Sequence, residues 1–201
     1  MVFSSSLHTA PVTSVSIMPN TADNTDSTYT IATASQDQTA QLTKVDLEPS
    51  GSSSSVLASL RLHTGPVSSI CFSSNSLRLL TSSWDGLIGY WDTSIPSVDE
   101  VPDTFIDPLR RKSKKRKTED EAKPRRKAPL HVLKSHTTRV SKVVFSRPSS
   151  EQNEAFSCGF DSTVRAWDLD LAACKQTIVR NLYILLSDSV ESDVLHFSGR
   201  F

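Results

Sequence analysis

The stretch LHTGPVSSICFSSNSLRLLTSSWDGLIGYWD, residues 62–92, decides the fold. After His63, apolar residues alternate with small polar ones, which is the period of two expected of a β-strand. A variable polar loop leads to a second strand that ends at Asp85. A third strand closes on Trp91 and Asp92. The stretch therefore predicts consecutive strands joined by tight turns and an all-β structure.

The same order of residues occurs twice more in the chain. One copy combines HTAPVTSVSI (8–17) with YTIATASQDQTAQLTK (29–44), and the other combines HTTRVSKVVF (136–145) with AFSCGFDSTVRAWD (155–168). In every copy a His precedes a Val by four residues, and a hydroxyl residue precedes an Asp by four. The first copy has Thr43 and Lys44 where the others have Trp-Asp. The sequence therefore contains three repeats, of which the first is degenerate.

The repeated polar residues resemble those of the WD repeat, whose His, Ser or Thr, Asp and Trp form a hydrogen-bond chain within one β-propeller blade. The chemistry fits, because Trp donates, the hydroxyl donates and accepts, and His bridges to a carboxylate. We expect these residues to build the blades, and we expect no catalytic, cofactor or metal site. The expected structural sets are His63, Thr81, Asp85 and Trp91; His136, Ser157, Asp161 and Trp167; and the partial set His8, Thr33 and Asp37.

The predicted fold is a partial WD-repeat β-propeller of three four-stranded antiparallel blades in an open arc. Three blades cannot close a ring, so sheet faces at both ends should lack a neighbour. The fourth strands are expected at 56–61, 131–134 and 175–179. The expected divisions are the end of a preceding blade at 1–7, blades at 8–61, 62–134 and 135–179, and an irregular tail at 180–201.

Charge is concentrated in one segment of the second blade. Of 22 Lys and Arg residues, 11 lie between Arg110 and Lys127 with 3 of the 22 acids, so the remainder has 11 bases against 19 acids, or −8. We interpret residues 94–129 as a disordered insertion between the third and fourth strands of this blade. Its bases are candidates for nuclear import or RNA contact: Arg110, Arg111, Lys112, Lys114, Lys115, Arg116, Lys117, Arg125, Arg126 and Lys127.

Three interpretations of this insertion remain open. Two basic clusters with an acidic spacer resemble a bipartite nuclear-import signal. The same cations could neutralise RNA phosphates, without base stacking because no aromatic residue is interleaved. The third interpretation is a solvated loop without a partner.

Longer strings are similar to the fungal WD-repeat subunits of nucleolar PeBoW-type complexes, which assemble the large ribosomal subunit. The similarity covers roughly residues 3–179. The strings that carry it are LHTAPVTSV (7–15), ATASQDQTAQLTK (32–44), LLTSSWDGLIGYWDTSIP (79–96), KAPLHVLKSHTTRVSKVVFS (127–146) and SCGFDSTVRAWDLD (157–170).

This resemblance implies a non-enzymatic scaffold in ribosome biogenesis, required for pre-ribosomal RNA processing and maturation of the large subunit. It implies residence in the nucleus, nucleolus and nucleoplasm. The implied partners are block-of-proliferation-type and pescadillo-type proteins and the pre-ribosome, with contact to ribosomal RNA. The alternative is an RNA-contacting or generic intracellular WD-repeat adaptor whose insertion binds nucleic acid.

The resemblance does not extend to the ends of the sequence. Family members engage an AAA-type ATPase through a ubiquitin-like domain; residues 1–7 are too few for one, so we do not expect that engagement here. The tail 180–201 lacks the repeat pattern, and we interpret it as read-through of an unspliced intron in a truncated chain. Three unpaired cysteines indicate a reduced intracellular protein. No apolar run is long enough to span a membrane, so we expect no membrane contact.

Overall fold

The computed structural model describes residues 8–19, 28–48, 51–100, 124–146 and 153–179. These residues form thirteen strands and no helix. The strands are β1 Val12–Ile17, β2 Thr28–Ser35, β3 Ala40–Glu48, β4 Gly51–Leu60, β5 Val67–Phe72, β6 Arg78–Ser83, β7 Leu87–Asp92, β8 Arg125–Lys127, β9 His131–Lys134, β10 Val140–Phe145, β11 Glu154–Gly159, β12 Thr163–Asp168 and β13 Ala173–Val179.

The strands are arranged as three sheets in chain order. Strands β1 to β4 form blade 1, β5 to β7 with β9 form blade 2, and β10 to β13 form blade 3. Neighbouring strands within these four-stranded sets are antiparallel, and none of the sheets closes into a barrel. The predicted fold class, a partial all-β propeller, is confirmed.

Blade 1 has a fifth strand that the sequence did not predict. Strand β8, Arg125–Lys127, returns from the insertion and pairs in parallel with β4, with Ala58 opposite Arg125 and Leu60 opposite Lys127. The expectation of disorder throughout 94–129 is therefore wrong at the ends of the insertion. The physical reason is the outer edge of β4, whose backbone N–H and C=O groups need partners and obtain them from β8.

Two apolar cores lie between the sheets. The core between blades 1 and 2 combines Leu42 and Leu60 with Leu79 and Trp91, among others. The core between blades 2 and 3 combines Leu80, Ile88, Val140, Val143 and Trp167, among others. Each blade therefore buries one face against its neighbour, and blade 2 is covered on both faces.

The inner strands show what a blade gains from a preceding neighbour. On β5, the side chains of Val67, Ile70 and Phe72 pack against blade 1 and are 0%, 3% and 9% exposed. On β1, the residues at the same repeat positions are exposed by more than half: Val12, Val15 and Ile17. Within the described residues no sheet packs on this outer face of β1. An apolar strip therefore ends the arc, as an incomplete propeller requires.

We expect this strip to drive self-association of the 201-residue chain. Replacing Val15 and Ile17 together by Thr should shift the chain toward monomer in sedimentation velocity, because less apolar surface is available for burial between copies. The matched replacements Ile70→Thr and Phe72→Thr should instead unfold the chain, since those side chains are buried. A monodisperse monomer that melts cooperatively without any substitution would contradict this expectation.

Candidate functional site: polar networks and the base of the insertion

The polar residues of blade 2 meet at the end of the sheet where β6 turns into β7. The His63 ring lies 2.9 Å from Thr81 Oγ1 through Nε2 and 3.2 Å from Asp85 Oδ2 through Nδ1. Trp91 Nε1 donates to the same Thr81 oxygen at 3.0 Å. The backbone N–H of Thr64 donates to Asp85 Oδ2 at 3.0 Å. The hydroxyl, imidazole, indole and carboxylate thus form one connected network.

Blade 3 repeats the network with shorter distances. His136 lies 2.7 Å from Ser157 Oγ and 2.8 Å from Asp161 Oδ2, and Trp167 Nε1 donates to Ser157 Oγ at 2.8 Å. A fifth group, Arg165, lies with Nη2 3.5 Å from Asp161 Oδ2. The repeat pattern did not indicate Arg165, because the matching position in blade 2 is a glycine.

Blade 1 has the network without its tryptophan. His8 lies 2.9 Å from both Asp37 Oδ2 and Thr33 Oγ1. Thr43 occupies the Trp position, is 2% exposed, and its hydroxyl has no hydrogen-bond partner among the described residues. Blade 1 therefore lacks the indole donor that the other two blades have, and it leaves one buried hydroxyl unsatisfied.

The ionisation of the blade 3 pair follows from its surroundings. Burial opposes the charge on Asp161, yet hydrogen bonds from Thr163, His136 and Thr137 outweigh it and lower the carboxyl pKa to about 2. Burial also lowers the pKa of His136, despite the opposing attraction of Asp161. The pair therefore rests as a neutral imidazole and a carboxylate at neutral pH.

Ser157, His136 and Asp161 stand in the order of a hydrolase triad, but their environment differs from that of a reactive site. Ser157 is 2% exposed, and its hydroxyl is already contacted by both His136 and Trp167. A nucleophilic serine needs a path for the substrate and an oxygen free to attack. This arrangement provides cross-links within the sheet, and every polar group in it has a partner.

Other chemistry has little support within the described ranges. They contain no group of three or more His, Cys, Asp or Glu side chains placed to hold a metal ion. Burial raises the pKa of the Cys71 thiol to about 12, which disfavours the reactive thiolate. Along the same ranges, no helix has the length and apolar character needed to cross a bilayer.

Lys127 was a candidate for import or RNA contact, and the structure places it in the interior. Its side chain is 0% exposed, and Nζ lies 2.5 Å from Asp92 Oδ1. The ammonium also donates to the Ser94 carbonyl at 2.7 Å and to Ser94 Oγ at 3.1 Å. Burial opposes ionisation of Asp92, but the hydrogen bonds from Lys127 and Ser94 lower its carboxyl pKa below the usual range. Lys127 therefore joins the insertion to the Trp-Asp end of blade 2.

The other candidate bases fall into two groups. Arg125 and Arg126 have exposed side chains on the same short strand. The remaining candidates lie outside the described residues: Arg110, Arg111, Lys112, Lys114, Lys115, Arg116 and Lys117.

The two ends of the insertion lie side by side. The backbone N–H of Arg126 donates to Asp99 Oδ1 at 2.8 Å, and that of Glu100 donates to the Arg126 carbonyl at 2.9 Å. The N–H of Ala128 donates to Glu100 Oε2 at 2.9 Å. Asp99 and Glu100 were not predicted as partners of the insertion, although two acids that precede a basic run are a sequence signal of pairing.

Hydroxyl groups connect the inner strands of adjacent blades. Thr13 Oγ1 donates to the carbonyl of Val67, and Ser68 Oγ donates to the carbonyl of Val140 at 2.7 Å. Both donors directly follow the Val of their own repeat, where the third repeat has Ser141. The recurrence of Thr or Ser at this position was the available signal for an inter-blade contact.

Comparison with known proteins agrees with this architecture. The family model described as "WD domain, G-beta repeat" matches residues 54–92 and 127–168. A protein named ribosome biogenesis protein YTM1 from Laccaria bicolor is 50% identical over 175 residues, which cover 85% of this chain and 38% of the relative. The protein of the same name from Coprinopsis cinerea is 50% identical over 181 residues, or 86% and 39%.

A more distant relative of that name comes from Saccharomyces cerevisiae. It is 37% identical over 139 residues, which cover 65% of this chain and 29% of the relative. The chain spans about two fifths of the length of the two more similar relatives.

The hydrogen-bonded network of blade 2 gives a quantitative prediction for stability. Thr81→Val should lower the free energy of unfolding by about 1–3 kcal/mol, because Trp91 Nε1 and His63 Nε2 both lose their buried partner. Thr33→Val should cost less, since blade 1 has no tryptophan donor to leave unsatisfied. Urea denaturation followed by circular dichroism measures both. Equal costs would mean that the indole bond adds nothing.

The ion pair between buried Lys127 and partly exposed Asp92 gives a second prediction. Lys127→Met should lower the free energy of unfolding by about 1–3 kcal/mol, because it removes the charged hydrogen bonds to Asp92 and Ser94 while the Asp92 carboxylate keeps some contact with water. Arg126→Met is the matched control on the same strand and should change it by less than about 0.5 kcal/mol. Adding Asp92→Asn to Lys127→Met should recover part of the loss. Equal effects of the Lys127 and Arg126 substitutions in urea denaturation would contradict the pairing.

Proposed function

Because the chain belongs to the WD-repeat family and shares half of its aligned residues with two ribosome biogenesis proteins, we propose that it is a non-enzymatic scaffold in ribosome biogenesis. The observation that carries the proposal is this identity over 85–86% of the chain. The generic-adaptor alternative is not favoured by these relatives.

The proposed process is processing of pre-ribosomal RNA and maturation of the large ribosomal subunit within a nucleolar complex. The proposed partners are a block-of-proliferation-type protein and a pescadillo-type protein on the pre-ribosome. The proposed location is the nucleus, comprising nucleolus and nucleoplasm. Support comes from the names of the relatives, each of which is a ribosome biogenesis protein.

The chemistry of the blades supports binding over catalysis. The His and Asp side chains that could act as acids or bases are engaged with one another and with buried hydroxyls. What remains for contact with other molecules is the outer surface of the sheets and the turns at their ends. Packed sheets with exposed turns suit a protein that holds partners in fixed positions.

The basic insertion is proposed to direct nuclear import. Arg125 and Arg126 are exposed immediately before Lys127 turns inward, so the available cations end at Arg126. An import signal needs accessible Lys and Arg side chains, and the clusters at 110–117 and 125–126 supply them in the sequence. RNA contact through the same cations is the competing function.

A deletion that separates import from RNA contact has to leave β8 in place. Removing 110–127 would also remove β8 and the buried Lys127. Replacing 101–123 by a four-residue Gly-Ser linker keeps β8 and Lys127. The linker is long enough, because Glu100 and Arg126 are already hydrogen-bonded to each other and four residues reach about 13 Å. The chain that carries this linker, given a separate import signal, should still co-sediment with large-subunit precursors from cells.

The outcomes distinguish import from RNA contact. Without the added signal, the chain that carries the linker should remain outside the nucleus in fluorescence microscopy. If the chain with the added signal reaches the nucleus but no longer co-sediments, the insertion itself binds the particle. If the undeleted chain fails to co-sediment, the scaffold proposal is wrong.

A further inference from the structure

Blades 2 and 3 meet closely at the end of the sheets that holds the His–Asp pairs. A Cβ atom built on Gly86, which has a φ of +82°, would lie 3.2 Å from the Thr138 carbonyl oxygen. This contact joins the β6–β7 turn of blade 2 to the loop before β10 of blade 3. Across the same boundary, the guanidinium carbon of Arg139 lies 4.5 Å from the centre of the Trp84 ring. The two blades therefore present one continuous surface here.

Three large side chains on the loops that meet here are open to solvent. Trp84 is 41% exposed, Phe160 is 69% exposed, and Arg139 is exposed above the Trp84 ring. Phe160 N–H donates to the Arg139 carbonyl at 2.9 Å, so the backbones of the two residues lie side by side. Trp and Arg are the residues most enriched among those that dominate binding energy in protein interfaces. We call Trp84, Arg139 and Phe160 the boundary patch.

The charge of the boundary patch is a single uncompensated cation. Arg139 forms no ion pair with any described residue. The two acids in the loops that meet here, Asp85 and Asp161, are buried and bind their own histidines. The loop residues at this end of blades 2 and 3 are 63–66, 84–86, 136–139 and 159–162. Among them Arg139 is the one Lys or Arg. A guanidinium held against an indole face is positioned to receive one carboxylate.

We propose that the boundary patch docks a protein segment in which a carboxylate stands next to a large apolar side chain. The carboxylate pairs with Arg139 while the apolar group covers Trp84 and Phe160. A nucleic-acid strand fits less well, because binding it requires several cations along the phosphates and the chain outside 110–127 carries −8. The proposal deepens the scaffold function proposed above and rests on it, since it assigns that function a protein-binding surface.

A peptide library tests the chemistry directly. Twelve-residue random peptides displayed on phage are selected on the immobilised 201-residue chain, and single-stranded oligouridine is titrated separately. Selection should enrich peptides with Asp or Glu within two residues of Phe, Leu or Trp. Arg139→Glu should weaken the selected peptides at least about tenfold, the loss typical of a central interface residue. Phe160→Ala should weaken them with the acid preference retained.

Matched variants separate docking from folding. Leu77→Ala changes a side chain that is 59% exposed at the opposite end of blade 2, and it should leave binding unchanged. Arg139→Lys should retain the acid preference, with lower affinity. The proposal is overturned if enrichment is independent of Arg139, or if oligouridine binds and Arg139→Glu abolishes that binding. Co-sedimentation with large-subunit precursors, measured in parallel, tests the scaffold function itself. Co-sedimentation without the expected peptide binding overturns the boundary patch alone, whereas absence of co-sedimentation overturns the scaffold function.

Discussion

The structure depends on the burial of one sheet face by the next sheet. A four-stranded blade with apolar residues on both faces cannot satisfy itself, so each blade needs neighbours on two sides. Blade 2 has both, with Val67 and Ile70 against blade 1 and Leu80 and Ile88 in the core with blade 3. The polar networks add to this packing. They hold the strands of one sheet in register, while the apolar cores hold sheet to sheet.

The local repeat could be predicted from sequence because its information is close along the chain. The four-residue offsets from His63 to Val67 and from Thr81 to Asp85 lie within one or two strands, and alternation assigns the faces. The hydrogen-bonded sets of His, Ser or Thr, Asp and Trp were expected from the resemblance to the WD repeat, and their side-chain chemistry agrees with it. The inter-blade hydroxyls, such as that of Ser68, could have been noticed because a Thr or Ser follows the Val in every repeat. Their role as donors to the next blade becomes clear only when the accepting carbonyl is seen beside them.

The base of the insertion shows where sequence reasoning stopped. Arg125, Arg126 and Lys127 look alike in a basic run, and a run of like charge indicates a solvated segment. Their environments differ because β8 finds the open edge of β4, more than sixty residues earlier in the chain. On this edge Lys127 turns inward toward Asp92, while Arg125 and Arg126 stay exposed. No local pattern contains that pairing, which depends on the position of a distant strand.

The same pairing has a consequence for the order in which the chain folds during synthesis. Blade 1 is complete only when β8 has joined it, yet β8 is made after residues 61–124, which include the first three strands of blade 2. On the ribosome, the edge of β4 must therefore stay unpaired through that interval. Long-range pairing of this kind slows folding and exposes a strand edge to other chains. Blades 1 and 2 should thus mature together as one cooperative unit during translation.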